Sequence, residues 1–140
     1  MTVIATRAPA PAATATDFAA AAGRLLIAAI FLLSGFAKLA DPAGTAGYIQ
    51  SVGLPLANLG VAAAAAVELI GGALLVLGYR ARLAAAALAL FSLATAVFFH
   101  SALGDQNQFI HFFKNVAMAG GLLQVIALGA GRFSLDARSR

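Results

Sequence analysis

Three ionisable side chains sit where long apolar stretches make charge expensive: Lys38, Glu68 and Lys114. Glu68 is the most informative, because it falls near the middle of an apolar segment. An ionised side chain at the centre of a membrane helix costs about 2.5–3.5 kcal/mol on insertion scales, so it faces the bundle interior and has a partner. Gly71 and Gly72 follow Glu68 at i+3 and i+4, on nearly the same helical face. Small residues beside a carboxylate let a second helix approach closely. Two readings stand together for Glu68: a proton or ligand site, or a structural carboxylate that fixes helix register. Lys38 ends the first apolar segment with Ser34 four residues before it, and Lys114 opens the last one with Gly121 seven residues on. The two lysines and Glu68 come from three segments and could converge on a cavity suited to an anion or a quinone headgroup. The plainer alternative is that each lysine reaches lipid phosphates on its flexible stem.

His100 and His111 flank a polar stretch with Asp105 between them. Two imidazoles and a carboxylate have the right chemistry for a metal, but this spacing across a loop sets no coordination geometry. The expectation is interfacial histidine and no metal or haem site. Asn115 and Gln124 are candidates for hydrogen bonds between helices. The sequence has no cysteine, so the chain itself carries no thiolate nucleophile, disulfide relay or iron–sulfur ligand set.

The elements that must position these groups follow from hydropathy. The composition is 62% hydrophobic and 10% charged, with mean hydropathy +0.94. Soluble domains are about 25% charged, so this is an all-α membrane protein. Four apolar segments, at about 18–40, 56–78, 81–99 and 112–128, are each compatible with a hydrocarbon core of about 30 Å. They predict an antiparallel four-helix bundle over residues 17–136. Asp41-Pro42 stops the first helix and can start a short interfacial helix over 43–52, with Asp41 as N-cap and Pro42 in the first turn. Residues 1–16, rich in Ala, Pro and Thr, read as a disordered tail, and 137–140 as a basic C-terminal tail. Gly71, Gly72, Gly120 and Gly121 are the expected packing positions.

The net charge of +4 does not indicate nucleic acid, because the arginines are not gathered on one face among aromatics. Arg7, Arg24, Arg80, Arg82, Arg132, Arg138 and Arg140 lie at or beyond the ends of the apolar segments instead. The loops 41–54 and 101–111 contain neither Lys nor Arg. Cytoplasmic loops carry the Lys/Arg excess, so both termini are expected in the cytoplasm and those two loops outside. Arg24 and Lys38 bound the uncharged core of the first helix, and one or both are expected to extend toward headgroups.

Several blocks in order resemble the DoxX family. They are Ser34-Gly35-Phe36-Ala37-Lys38-Leu39-Ala40-Asp41-Pro42, then Glu68-Leu69-Ile70-Gly71-Gly72 with Gly78, then Arg82 and Phe99-His100. Phe113-Lys114-Asn115, Gly120-Gly121 and Gly131-Arg132-Phe133-Ser134-Leu135-Asp136 complete the set. The resemblance runs from about Gly23 to Asp136. It implies a multi-pass protein of the bacterial inner (plasma) membrane, related to small subunits of a quinol oxidase and of thiosulfate:quinone oxidoreductase. Some members of that family are associated with membrane oxidoreductase complexes and oxidative-stress resistance. It also implies a shared site at Lys38, Glu68, Lys114 and Asn115, to which the position of His100 adds a fifth candidate. The expected function is therefore a non-catalytic accessory subunit of a quinone-linked oxidoreductase, binding a quinone or anion near the outer leaflet. Oxidoreductase subunits and further copies of the chain are its expected protein partners. The alternative is a small proton-coupled transporter that uses Glu68. No nucleophile–base pair, phosphate loop or metal motif marks an enzyme acting alone.

Overall fold

A computed structural model describes residues 12–138. Helix α1 (Ala15–Ala40) begins at a capping box: Thr14 Oγ1 accepts from the Asp17 amide at 3.3 Å, and the Thr14 amide donates to Asp17 Oδ2 at 2.8 Å. Two donors that the first turn would leave unpaired are thereby satisfied. The expected tail is shortened accordingly. Residues 1–11 lie outside the described residues, while Ala15 and Thr16 already belong to α1. Asp41 closes α1 and caps α2 (Pro42–Ser51), accepting from the Gly44 amide at 2.9 Å. The short helix thus forms for the reason its Asp-Pro start suggests.

Helices α3 (Ala57–Leu77) and α4 (Ala81–Phe99) match the second and third apolar segments to within a residue. Helix α5 (Gln106–Leu128) begins about two turns before the expected start at 112. Asp105 supplies the cause. Its side chain accepts from the Gln108 amide at 2.9 Å and caps a polar first turn that hydropathy does not register. The expected polar loop 101–111 shrinks to 101–105, and His111 sits on the helix. A short α6 (Leu135–Arg138) follows where a basic tail was expected at 137–140; residues 139–140 lie outside the described residues.

The four long helices pack antiparallel, α1 on α3, α3 on α4, α4 on α5, with α5 returning to α1. Ala28, Phe31, Leu75, Leu88 and Leu122 form the shared core. Small residues set the close approaches. A side chain at Gly71 would run into Leu88, one at Gly72 into Leu32, and one at Gly121 into Ile27. Gly120 does not join them: it is exposed, and a Cβ there would meet nothing within 4 Å, because it faces away from the bundle. The outer surface is apolar, with Leu26, Leu33 and Leu90 each more than 70% exposed. Four helices long and apolar enough to cross a bilayer, wearing leucine outward, fit lipid as their solvent.

One end of the bundle is held by buried charge. Arg24, only 3% exposed, donates from one guanidinium nitrogen to the Ala130 carbonyl and from the other to the Phe133 carbonyl at 2.7 Å. It therefore does not extend to headgroups as expected, because the chain after α5 folds back over it. Asp136 then reaches the α3–α4 turn, its two oxygens accepting from the Arg80 amide (2.7 Å) and the Ala81 amide (2.9 Å). Arg80 holds a left-handed backbone (φ 46°), uncommon for a residue with a Cβ. Asp136 is the N-cap that this turn does not supply from its own sequence. Losing an N-cap costs about 1–2 kcal/mol. Asp136→Ala is expected to lower unfolding stability in detergent by that amount, with Asp136→Asn intermediate, as read by a denaturation midpoint. Unchanged midpoints would show that Asp136 does not hold the turn.

Candidate functional site

The opposite end of the bundle carries the site. Glu68 is presented by α3, 3% exposed, toward α1, where Gly35 clears the space. A Cβ at Gly35 would meet the Leu69 side chain at 2.7 Å and Glu68 Cβ at 3.3 Å. Lys38, one turn along α1, fills that opening. Its Nζ donates to Glu68 Oε1 at 3.0 Å and lies 2.8 Å from Oε2, straddling the carboxylate, while Ser34 Oγ accepts a further hydrogen bond at 2.8 Å. The lysine does not simply reach out to lipid. It neutralises the acid that most needs an answer.

Two cavities meet at this pair. The larger, about 380 Å³, lies beneath α2 and is lined largely by apolar groups including Ile49, Val67, Phe91 and Phe99, with Lys38 and His100 in its wall. The smaller, about 150 Å³, opens between α1, α3, α4 and α5; Ser34, Glu68, His100, His111, Lys114 and Asn115 line it together with apolar Ile30, Phe31 and Met118. Phe91, Thr95 and His100 line both. The structure therefore brings all five expected ligand-site residues to one place, with Lys38 bordering one chamber and Glu68 the other.

Their roles differ from a single converging cluster. Lys114 contacts His111 Nδ1 at 3.1 Å on its own helix, leaving Lys38 to pair with Glu68. Asn115 is buried but donates to the His111 carbonyl at 2.9 Å, one turn back, so its bond lies within α5 and not between helices. Gln124 is exposed on the outer face of the same helix. The histidines do associate, although not as interfacial residues acting separately. Their rings stack with centroids 5.0 Å apart, and His100 Nδ1 lies 2.8 Å from Gln108 Oε1. The early start of α5 brings His111 and Gln108 to His100. No group of three metal-ligating side chains occurs among the described residues.

Tyr48 is a contributor that the sequence does not mark as part of the site, and it meets Phe99. Tyr48 on α2 donates to the Phe99 carbonyl at 3.3 Å and packs its ring 5.3 Å from the Phe99 ring, tying α2 to the end of α4 as a roof over the larger cavity. A tyrosine in a short helix with little apolar asymmetry carries no signal for such a contact. The assembled site offers an apolar chamber beside a smaller, mixed one that holds most of the polar side chains, with the Lys38–Glu68 pair at their junction. It can hold an amphiphile with its body and its polar end in different surroundings.

A helical bundle with an apolar exterior and a buried ion pair near one end is an integral membrane protein. The comparisons place it further: the DoxX family profile matches residues 19–101, so the chain belongs to the DoxX family. It is 36% identical over 120 residues to inner membrane protein YphA of Escherichia coli, covering 82% of this chain and 86% of that protein. It is 31% identical over 120 residues to inner membrane protein YqjF of the same organism, covering 86% and 91%. No solved structure gives a significant match.

Removing one partner of a buried pair leaves an uncompensated charge, at about 3–5 kcal/mol. Lys38→Met and Glu68→Leu are each expected to destabilise the protein on that scale, and the double variant to recover most of the loss. Thermal unfolding of the four proteins in one detergent measures the coupling. Additive losses would show that the pair contributes nothing beyond its separate members.

Proposed function

We propose that this protein is a ligand-holding subunit of the bacterial inner membrane, binding a quinone-type molecule across the two chambers and serving a membrane oxidoreductase. The observation that carries the reading is the junction at Lys38, Glu68 and His100, where an apolar cavity of about 380 Å³ adjoins one of about 150 Å³ that holds the polar side chains. A quinone has an apolar tail and carbonyl acceptors. The tail matches the lining of the larger chamber, and the carbonyls match donors from His100, Lys114 and Asn115. Family membership supports the reading, since the sequence blocks resemble subunits of quinone-linked systems, and the names of both relatives support the inner membrane. The orientation that fits has both termini in the cytoplasm. Arg24, Arg80, Arg82 and Arg132 gather at the end opposite the site, and cytoplasmic segments hold the Arg/Lys excess. In that orientation the chambers open toward the outer leaflet.

Protein purified in a mild detergent from quinone-containing membranes is expected to carry quinone detectable by mass spectrometry of the extract. His100→Phe, which removes a donor and occupies shared space, is expected to weaken retention about tenfold, the worth of one hydrogen bond of about 1.4 kcal/mol. Finding no bound quinone and no co-purifying redox subunit would defeat the proposal. Because the sequence is free of cysteine, orientation can be read by single replacements without background. Gly104→Cys should react with an impermeant maleimide added outside, and Ala137→Cys only after the membrane is opened.

A proton-coupled permease is the second reading, favoured by the position of Glu68 in the wall between chambers. It requires that the reconstituted protein carry a proton-linked flux and that Glu68→Gln abolish it.

A further inference from the structure

The end of the bundle remote from the ligand chambers has a cavity of its own, about 260 Å³, where the chain leaves α5 and turns into α6. It is bounded by Arg82, Leu128, the Gly129–Gly131 loop, Arg132 and Asp136. Several hydrogen-bond acceptors around the loop are already engaged. The Ala127 carbonyl takes Arg82 at 3.4 Å, the Ala130 and Phe133 carbonyls take Arg24, and the Gly131 carbonyl takes Ser134 Oγ at 2.6 Å. Asp136 is likewise committed to the Arg80 and Ala81 amides. The charged groups that the cavity presents are therefore chiefly cationic, the guanidinium groups of Arg82 and Arg132. Across this whole end, Arg24, Arg80, Arg82, Arg132 and Arg138 stand against Asp17 and Asp136. Arg24 adds charge from just behind the loop, since it is buried and its Nε has no hydrogen-bond partner.

Position decides which anion this suits. The cavity lies level with the last turn of a membrane-crossing helix, and Leu128 at its rim is 78% exposed. A negatively charged group placed here therefore has cations on one side and an apolar helix face running away from it on the other. Soluble phosphate would use only the first of these. A phospholipid uses both, its phosphate between the arginines and an acyl chain along α5. Guanidinium is well suited to the phosphate half of this contact, because its planar fork presents paired donors.

We propose that the Arg82–Arg132 cavity is a binding site for the phosphate of an anionic phospholipid in the leaflet this end faces, and that the bound lipid secures the α5–α6 turn. The site is separate from the ligand chambers and independent of what they hold.

The full-length protein in a neutral detergent is heated with phosphatidylglycerol, with phosphatidylcholine, or with inorganic phosphate at the same concentration. Phosphatidylglycerol is expected to raise the melting temperature by about 5–10 °C near saturation, as binding to the folded state alone requires. Phosphatidylcholine and inorganic phosphate should each give less than half that shift. Arg82→Gln with Arg132→Gln should abolish the phosphatidylglycerol shift, while the same two positions changed to Lys should keep part of it. Native mass spectrometry should show one retained anionic lipid on the wild type and none on the glutamine variant. Equal shifts from lipid and inorganic phosphate, equal shifts from the two lipids, or an undiminished shift in the glutamine variant would each overturn the proposal. Should the glutamine variant fail to fold, the three-ligand comparison on the wild type and its native mass spectrum still decide the matter.

Discussion

A carboxylate inside an apolar bundle has to be answered, and in this protein the answer is Lys38. With its Nζ 2.8 and 3.0 Å from the two oxygens of Glu68, the pair carries no net charge into the membrane interior. Much of the local architecture follows from that requirement. Glycine at position 35 leaves room for α3 to present Glu68 to α1, and Ser34 gives the ammonium a further acceptor. Asp41-Pro42 stops α1 one turn beyond Lys38, whose side chain remains partly exposed. Helix α2 then turns over the pair and, through Tyr48, closes on α4.

The other end of the bundle meets its electrostatic requirement by a different route. Arg24 is buried, and two of its guanidinium nitrogens donate to main-chain carbonyls that the chain after α5 brings back to it. Asp136, from the same returning segment, is matched to main-chain amides at the α3–α4 turn. An arginine taken up by carbonyls and an aspartate taken up by amides lock one segment to two places at once. Gly78 allows this, being left-handed (φ 62°) and packed so closely on Ser134 that a side chain would collide. One end is thus fastened by main-chain partners, while the other keeps its charges on side chains beside open cavities. Cavities and ionisable side chains together are the ordinary setting of a ligand site.

The sequence made the spans legible because hydropathy is a sum over many residues, and no single substitution hides it. Capping chemistry was half legible. Asp41-Pro42 announces α2, yet Asp105 starts α5 inside a run of Gln and Asn that looks like a loop. That difference mattered for the site, since two extra turns of α5 carry Gln108 and His111 to His100. That these polar residues would lie near one another was readable from their apolar surroundings, but the pairing was not. Lys38 and Lys114 look equivalent as helix-end cations, and only packing shows that α1 and α3 lie close enough at Gly35 to make one pair. Arg24 was misjudged for a related reason. Its partners are carbonyls more than a hundred residues away, and a carbonyl leaves no trace in side-chain identity. Gly120 and Gly121 are adjacent and alike in sequence, but a helix turns by about 100° between neighbours. One of them meets Ile27 and the other faces outward.

The inequivalence of the two lysines has a chemical consequence. Lys38 spends its charge on Glu68, so that pair presents nearly no field to the larger chamber. Lys114 contacts an imidazole nitrogen, which accepts a hydrogen bond but does not cancel a charge. The smaller chamber therefore has a cation, two stacked imidazoles and an amide along its wall, with its one carboxylate already neutralised. A group entering from the apolar side meets positive potential at its leading end. On electrostatic grounds, such a wall suits carbonyl oxygens and other electron-rich ends better than ammonium or guanidinium groups. The chamber's selectivity thus traces back to which of two lysines the bundle allows to reach one carboxylate.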